Sequence, residues 1–201
     1  MHQRPKFKNV DLTMAALFAA LMAVGANLGS FLIIGGVPIT FQTFIATLAG
    51  ALLGSRVGPL AMIVYTSLGL MGVPVFAKFG SGFAYVLSPT FGFVISFIFI
   101  AYVIGKMIER KTNPGFRTFM FASFTGLFIN YIFGTNWMYF AYKFWAQAPE
   151  QFTYWIVWLW MLVPLVKDIL FSVLAAVISS RIYRTIHLFL SHHQKTEETR
   201  L

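Results

Sequence analysis

The sequence predicts an all-α integral membrane protein with six transmembrane helices and both termini on the cytoplasmic side. Of its 201 residues, 58% are hydrophobic and only 10% are charged. A soluble domain usually carries about 25% charged residues, so this chain lacks the polar surface that a water-facing globule needs. Residues 1–201 are therefore interpreted as one transmembrane domain with short basic tails.

The placement of the basic residues predicts the orientation in the bilayer. Most of them precede the first apolar run, follow the last one, or occupy alternate breaks; only Lys78 and Lys143 fall in the other connections. This is the positive-inside pattern, in which cytoplasmic cations face anionic lipid headgroups. The net charge of +9 therefore reports topology and implies no nucleic-acid partner. A cleaved signal peptide at residues 14–26 is an alternative, but the apolar runs continue downstream.

The six hydrophobic spans lie at about 11–27, 40–53, 57–71, 90–107, 118–139 and 154–181. Only Gly54, Ser55 and Arg56 separate the second from the third, which predicts an antiparallel helical hairpin with a cytoplasmic turn. The outer connections are longer, nearly uncharged and rich in Phe, Gly, Ser and Pro. Such loops suit a cap over a buried ligand, and residence in the membrane interface would explain them equally.

Two adjacent charges, Lys167 and Asp168, lie inside the apolar stretch at 155–180. An ionised side chain at membrane depth costs several kcal/mol unless it is paired or faces a polar cavity, so the two residues mark a functional site. The alternative is a lysine–aspartate pair that only tethers helices. Neighbours on a helix point about 100° apart and are expected to pair poorly with each other.

Further polar side chains are candidates for the same site. Asn130 in the fifth span offers a donor and an acceptor to a ligand amide, or it bonds another helix. Gln42 and Thr43, near the outer end of the second span, are similar. Tyr85, Ser88 and Thr90 bring hydroxyls to the outer mouth among several phenylalanines.

The first helix carries alanines at two sets of positions with a spacing of four, which are Ala15, Ala19 and Ala23 in one set and Ala16 and Ala20 in the other. This spacing aligns small side chains on one face and lets another helix approach closely. That helix belongs either to a partner or to this chain.

Several chemistries have no support in the sequence. The chain has no cysteine, which removes disulfides and thiolate metal sites. No phosphate-binding glycine loop ends in lysine and Ser or Thr, so the chain is no ATPase by itself. A membrane-embedded enzyme with Lys167 and Asp168 as an acid–base pair is the competing class, but no third group orients that pair. A ligand-binding membrane protein without its own energy source is expected to depend on a partner protein that supplies the energy.

Five segments carry a family resemblance: VPITFQT at 37–43, LAG at 48–50, LG at 53–54, GLMGVPVFA at 69–77 and PTFGF at 89–93. In these segments, and over nearly its whole length, the chain resembles the BioY family. Members of that family are the biotin-specific substrate-binding (S) components of energy-coupling factor (ECF) transporters, which are ABC-type vitamin importers.

The resemblance implies the ECF S-component fold in the bacterial cell (cytoplasmic) membrane, with a biotin site near the outer face. The loop after the first helix would be a lid. Biotin would be the transported ligand, and the partners would be a transmembrane T component and two cytoplasmic ATPase subunits that use the ATP. The chain itself would need no cofactor and would be no enzyme. An S component for another small vitamin is the alternative.

The resemblance also assigns roles within the site. Asp168 matches an aspartate in the last helix of the family and is expected to accept hydrogen bonds from the ureido N–H groups of biotin. Lys167 or Asn130 would donate to the carbonyl or the carboxylate of biotin. The aromatic side chains that would pack against its rings are Tyr85, Phe31 and Phe76. The predicted substrate-binding residues are thus Asp168, Lys167, Asn130, Tyr85, Ser88, Thr90, Phe31, Phe76 and Gln42.

The chain departs from the family pattern at two places. The basic partner of the aspartate lies one turn later in some members, where this chain has Phe171, and residues 88–92 read SPTFG where many members read GPTGG. The alanines of the first helix would dock the T component. Ala19→Trp is therefore expected to abolish uptake and to spare biotin binding.

Overall fold

The computed structural model describes residues 7–34 and 37–198. Within them, six α-helices follow one another: α1 (Asn9–Asn27), α2 (Gln42–Leu70), α3 (Phe91–Glu109), α4 (Phe116–Phe144), α5 (Tyr154–Trp160) and α6 (Leu162–Glu198). A two-stranded antiparallel hairpin, β1 (Ile33–Ile34) and β2 (Val37–Pro38), joins α1 to α2. Two short 3₁₀ turns, Ala77–Phe79 and Phe83–Leu87, lie between α2 and α3. The all-helical class predicted from the sequence is confirmed.

Five helices are long and apolar enough to cross a membrane, namely α1, α2, α3, α4 and residues 162–185 of α6. The predicted last span at 154–181 is not one helix, since it is divided at Met161 into α5 and α6. Pro164 lies in the first turn of α6. A proline is tolerated there because the N–H groups of a first turn have no helical acceptor.

Helix α2 turns back on itself at Gly54, whose φ of 77° and ψ of −177° are not helical. Glycine reaches this conformation without the steric cost of a Cβ. The amide of Gln42 donates to the Tyr65 hydroxyl at 3.0 Å, although a straight helix would hold residues 23 positions apart at about 35 Å. Residues 42–53 and 55–70 are therefore antiparallel, and the predicted hairpin is confirmed.

The carboxylate of Glu109, at the end of α3, holds this turn in place. The Ser55 backbone N–H donates to Oε1 at 2.7 Å, and the Ser55 hydroxyl donates to Oε2 at 2.6 Å. The N–H groups at the start of the second half of α2 have no helical acceptor, and a carboxylate satisfies them well. The contact fixes the α2 turn against α3.

Small residues set the spacing between α2 and α3. A Cβ placed on Gly50 would lie 2.6 Å from the carbonyl oxygen of Ala101, so the two backbones touch at this point. Close approach through glycine and alanine is the usual way in which helices associate in lipid. The tight packing positions the first turn of α3 beside the first turn of α2.

The alanines of α1 face two different ways. Ala15 and Ala19 are 2% and 4% exposed and belong to the core of this chain, and Ala23 packs against that core. Ala16 and Ala20 are exposed. Ala15 and Ala19 therefore pack inside this chain, which is the alternative that the alanine spacing left open, and docking of another protein on Ala15, Ala19 and Ala23 stays a prediction. The alternative pair, Ala16 and Ala20, is free on the surface of the described chain.

Candidate functional site

A cavity opens at the end of the bundle that carries the β-hairpin. Strand β2 lies over it, and the first turns of α2 and α3, the middle of α4 and the start of α6 form its walls. The residues that line it are Val37, Pro38, Thr40, Gln42, Thr43, Ala77, Tyr85, Thr90, Phe93, Val94, Phe97, Asn130, Tyr131, Met161, Pro164, Lys167 and Asp168. The walls are mostly apolar with a few convergent polar groups, as is usual for small-molecule sites.

Asp168 lies on the cavity wall and is only 4% exposed. The Lys167 ammonium is 2.8 Å from Asp168 Oδ1 and also donates to the Thr40 carbonyl oxygen at 2.6 Å. The expectation that these neighbours pair poorly is wrong, because the long lysine side chain reaches both groups. Lys167 thereby also ties α6 to the start of α2, and its ammonium lies 5.5 Å from the centre of the Phe171 ring.

The two oxygens of Asp168 differ in their partners. The Tyr131 hydroxyl donates to Oδ2 at 2.8 Å. Oδ1 has the Lys167 ammonium at 2.8 Å and no further partner among the residues that the structure describes. A carboxylate oxygen accepts more than one donor, so Oδ1 can also accept from an N–H of a ligand.

A polar network on the opposite wall involves Asn130. Its amide N–H donates to the Thr43 hydroxyl at 3.2 Å, and its carbonyl oxygen accepts from Ser96 at 2.7 Å. The helix-to-helix hydrogen bonding considered for Asn130 is therefore present, although the residue also lines the cavity. Gln42 likewise lines the cavity and bonds Tyr65.

Tyr85 and Thr90 form the part of the wall that is nearest the mouth. The Tyr85 ring stacks on Phe76, with the ring centres 4.4 Å apart. Burial raises the pKa of the Tyr85 hydroxyl above its ordinary value, so this hydroxyl keeps its proton at neutral pH. Ser88 lies outside the main cavity, in an adjoining space, with its hydroxyl 3.0 Å from that of Thr90.

Two tryptophans hold the loop that carries these hydroxyls. The Trp137 indole donates to the Ser88 carbonyl at 3.2 Å, and the Trp145 indole donates to the Leu87 carbonyl at 2.7 Å. Trp137 lies in the last part of α4, and Trp145 directly follows that helix. The position of the mouth is thus fixed by α4 as well as by α3.

Two predicted residues line neither the main cavity nor the adjoining space. Phe31, in the connection after α1, is 72% exposed, and Phe76 is fully buried. Phe76 contacts Tyr85 from behind and meets the Tyr65 ring edge-on with centres 5.5 Å apart, so it supports the wall without forming it. The structure brings together the other predicted residues, with Ser88 at the adjoining space.

The lining residues absent from the predicted set are mostly apolar, together with Tyr131, Thr40 and Thr43, of which Thr43 had been considered beside Gln42. The sequence could have indicated Tyr131, since it follows Asn130 directly in an apolar span. Phe93, Val94 and Phe97 had no such signal, because similar residues occur throughout the chain. Among the described residues, no cluster of three or more His, Asp or Glu side chains is placed to hold a metal ion.

Comparisons with known proteins show the family to which this chain is similar. The family model described as "BioY family" matches residues 1–188. The protein BioYB of Bacillus subtilis (strain 168) is 43% identical over 191 residues, which are 93% of this chain and 94% of that protein. The biotin transporter BioY of Thermotoga maritima is 39% identical over 124 residues, 62% of this chain and 71% of that protein.

A solved structure agrees with the sequence matches. The crystal structure of the S-component for biotin from an ECF-type ABC transporter superposes with a TM-score of 0.67 at 25% identity, covering 89% of this chain and 95% of that one. With five apolar helices, these matches describe a multi-pass membrane protein. The chain belongs to the BioY family.

Proposed function

We propose that this chain is a biotin-binding S component of an ECF-type ABC transporter. The proposal draws on the family, on the relatives named as biotin transporters, and on the structural neighbour that is the S-component for biotin. It assigns residues 1–201 to one transmembrane substrate-binding domain. No bond is made or broken in this chain, which needs no cofactor of its own.

The observation that carries the proposal is the buried Asp168 carboxylate on the cavity wall, held between Lys167 and Tyr131. Biotin has a ureido group with two N–H donors and one carbonyl acceptor. One N–H donates to Asp168 Oδ1, which in the described chain has the Lys167 ammonium at 2.8 Å, and such a charge-assisted bond is stronger than a neutral one. The Lys167 ammonium has three donor positions, so it keeps its bond to Thr40 and has a donor for the ureido carbonyl.

The antiparallel hairpin in α2 supports a topology of six crossings. If residues 42–53 and 55–70 each cross the bilayer, the five long helices make six crossings and both termini lie on the same side. The Lys and Arg residues of the two tails, of the α2 turn and of the connection between α3 and α4 favour the cytoplasm for that side by the positive-inside rule. The cavity then opens at the outer face of the cytoplasmic membrane of a bacterium.

Transport requires partners that supply energy. In this proposal a transmembrane T component contacts the exposed row of α1 at Ala16 and Ala20, and two cytoplasmic ATPase subunits hydrolyse ATP. The loaded S component reorients in the bilayer to release biotin inside. Small side chains on a lipid-facing helix allow a partner helix to approach closely.

Equilibrium binding of labelled biotin to the purified chain in detergent tests the proposal. Unlabelled biotin, thiamine and riboflavin serve as competitors. Saturable binding that only biotin displaces is the expected result. Displacement by thiamine or riboflavin would assign the chain to another vitamin, and no binding by a folded sample would reject a ligand site for biotin.

A further inference from the structure

We propose that Lys78 binds the carboxylate of biotin at the mouth of the cavity and selects acids over neutral analogues. This inference rests on the proposed function. The ureido group and the carboxylate are at opposite ends of biotin, separated by the bicyclic ring and the valeryl chain. A ligand whose ureido group reaches Asp168 must therefore direct its carboxylate toward the mouth.

The space at the mouth is continuous with the main cavity. Pro38, Ala77, Tyr85 and Thr90 line both spaces. The outer space is also lined by Ile33, Lys78, Ser88, Pro89 and Tyr142. Lys78 supplies the positive charge, and the hydroxyls of Ser88 and Thr90 are hydrogen-bond donors for a carboxylate. The outer space thus has the groups that an anion requires.

Lys167, the cation that lines the main cavity, already contacts other groups of this chain. Lys167 is 2.8 Å from Asp168 Oδ1 and donates to the Thr40 carbonyl, so a second carboxylate beside it would repel Asp168. Lys143 lies over the rings of Tyr139 and Phe144, 5.6 Å from each ring centre. Within the described chain, no carboxylate is in ion-pair distance of the exposed Lys78 ammonium.

The backbone holds Lys78 in an unusual conformation. Lys78 and the next residue, Phe79, have φ values of 58° and 57°, a region that residues with a Cβ seldom adopt. The Lys78 N–H donates to the Ser30 hydroxyl at 3.3 Å, and the Phe79 N–H donates to Asn27 Oδ1 at 2.7 Å. These bonds anchor the turn that carries Lys78 to the end of α1.

The test compares biotin with its methyl ester, which lacks the negative charge and keeps the ureido group. Both compete against labelled biotin for the purified chain, Lys78→Met, Lys78→Arg and the control Lys143→Met. We expect the unmodified chain to prefer the acid about tenfold. Lys78→Met should lose this preference with unchanged affinity for the ester, whereas Lys78→Arg and Lys143→Met should keep it. The preference should also shrink as the salt concentration rises.

Each contrary result has a distinct meaning. An undiminished preference in Lys78→Met, or equal binding of acid and ester by the unmodified chain, would overturn the role of Lys78. Loss of ester binding in Lys78→Met would overturn it too, because the lysine would then act on the fold and not on the carboxylate. If the folded, unmodified chain binds neither compound, the proposed function itself fails.

Discussion

Tyr131 donates its hydroxyl hydrogen to Asp168 Oδ2 at 2.8 Å, which joins the middle of α4 to α6 at the wall of the cavity. The bond occupies one carboxylate oxygen and orients the other. Oδ1 is left facing the cavity and the Lys167 ammonium, which is 2.8 Å away. The tyrosine thus prepares the aspartate for a ligand that brings its own N–H donor.

Tyr131→Phe tests this positioning. Removal of the hydroxyl leaves Asp168 free to rotate and Oδ2 without its donor, so biotin affinity should fall about tenfold, the worth of one hydrogen bond to a charged group. The measurement is equilibrium binding in detergent, with Tyr102→Phe as the control at a half-exposed tyrosine of α3. Equal affinity in Tyr131→Phe and in the unmodified chain would show that the bond does not orient the site.

Lys167→Met should destabilise the protein, because it leaves the Asp168 carboxylate buried without its cation. Breaking a fully buried pair costs about 3–5 kcal/mol, and the 21% exposure of the lysine side chain reduces the expected loss to about 2 kcal/mol. Thermal unfolding in detergent measures it. Adding Asp168→Asn to Lys167→Met should restore most of the loss, and two additive effects would show that the residues are not coupled.

Gly54→Ala should destabilise the α2 hairpin by about 1–2 kcal/mol, because alanine is strained at a φ of 77°. Its Cβ would also lie 2.5 Å from Glu109 Oε1. Gly115→Ala is the matched control, since Gly115 has a φ of −84° and no heavy atom within 4 Å of an added Cβ. If both variants unfold at the temperature of the unmodified chain, the turn does not depend on glycine.

Tryptophan substitutions on α1 separate packing from partner binding. Ala19→Trp overfills the core and should lower stability by about 3 kcal/mol or more, so biotin binding should fall with it. Ala20→Trp projects from an exposed position and should retain biotin binding while reducing uptake in cells that hold the T component and ATPases. Normal uptake by Ala20→Trp would remove this face from the proposed interface.

The fold was largely predictable because membrane helices are encoded by long runs of apolar residues, which the sequence shows directly. The gap of three residues at Gly54 predicted the α2 hairpin, and the hairpin is present. The break at Met161 was not predicted, because apolar residues flank it on both sides and hydropathy does not change. Pro164 was the available signal, since a proline marks the first turn of a helix more readily than its interior.

The site was predictable where it is polar. Asp168, Lys167 and Asn130 stand out in apolar spans, since a polar group at membrane depth needs a partner. The apolar walls were not predictable, because helix rotation decides which phenylalanine faces the cavity. Phe76 and Phe31 show this: one lies behind the wall and the other is exposed. The spacing of the alanines gave a face of α1 but not the identity of what covers it.

Asp168 is proposed to bind the ureido group of biotin. The dissociation constant of biotin, measured for Asp168→Asn and for the unmodified chain, tests this role. Asparagine keeps the shape and still accepts from Tyr131, but it removes the charge. We predict a loss of affinity of about 10- to 100-fold, with both proteins folded as judged by their unfolding temperatures. Unchanged affinity in a folded Asp168→Asn variant would show that Asp168 does not bind the ureido group.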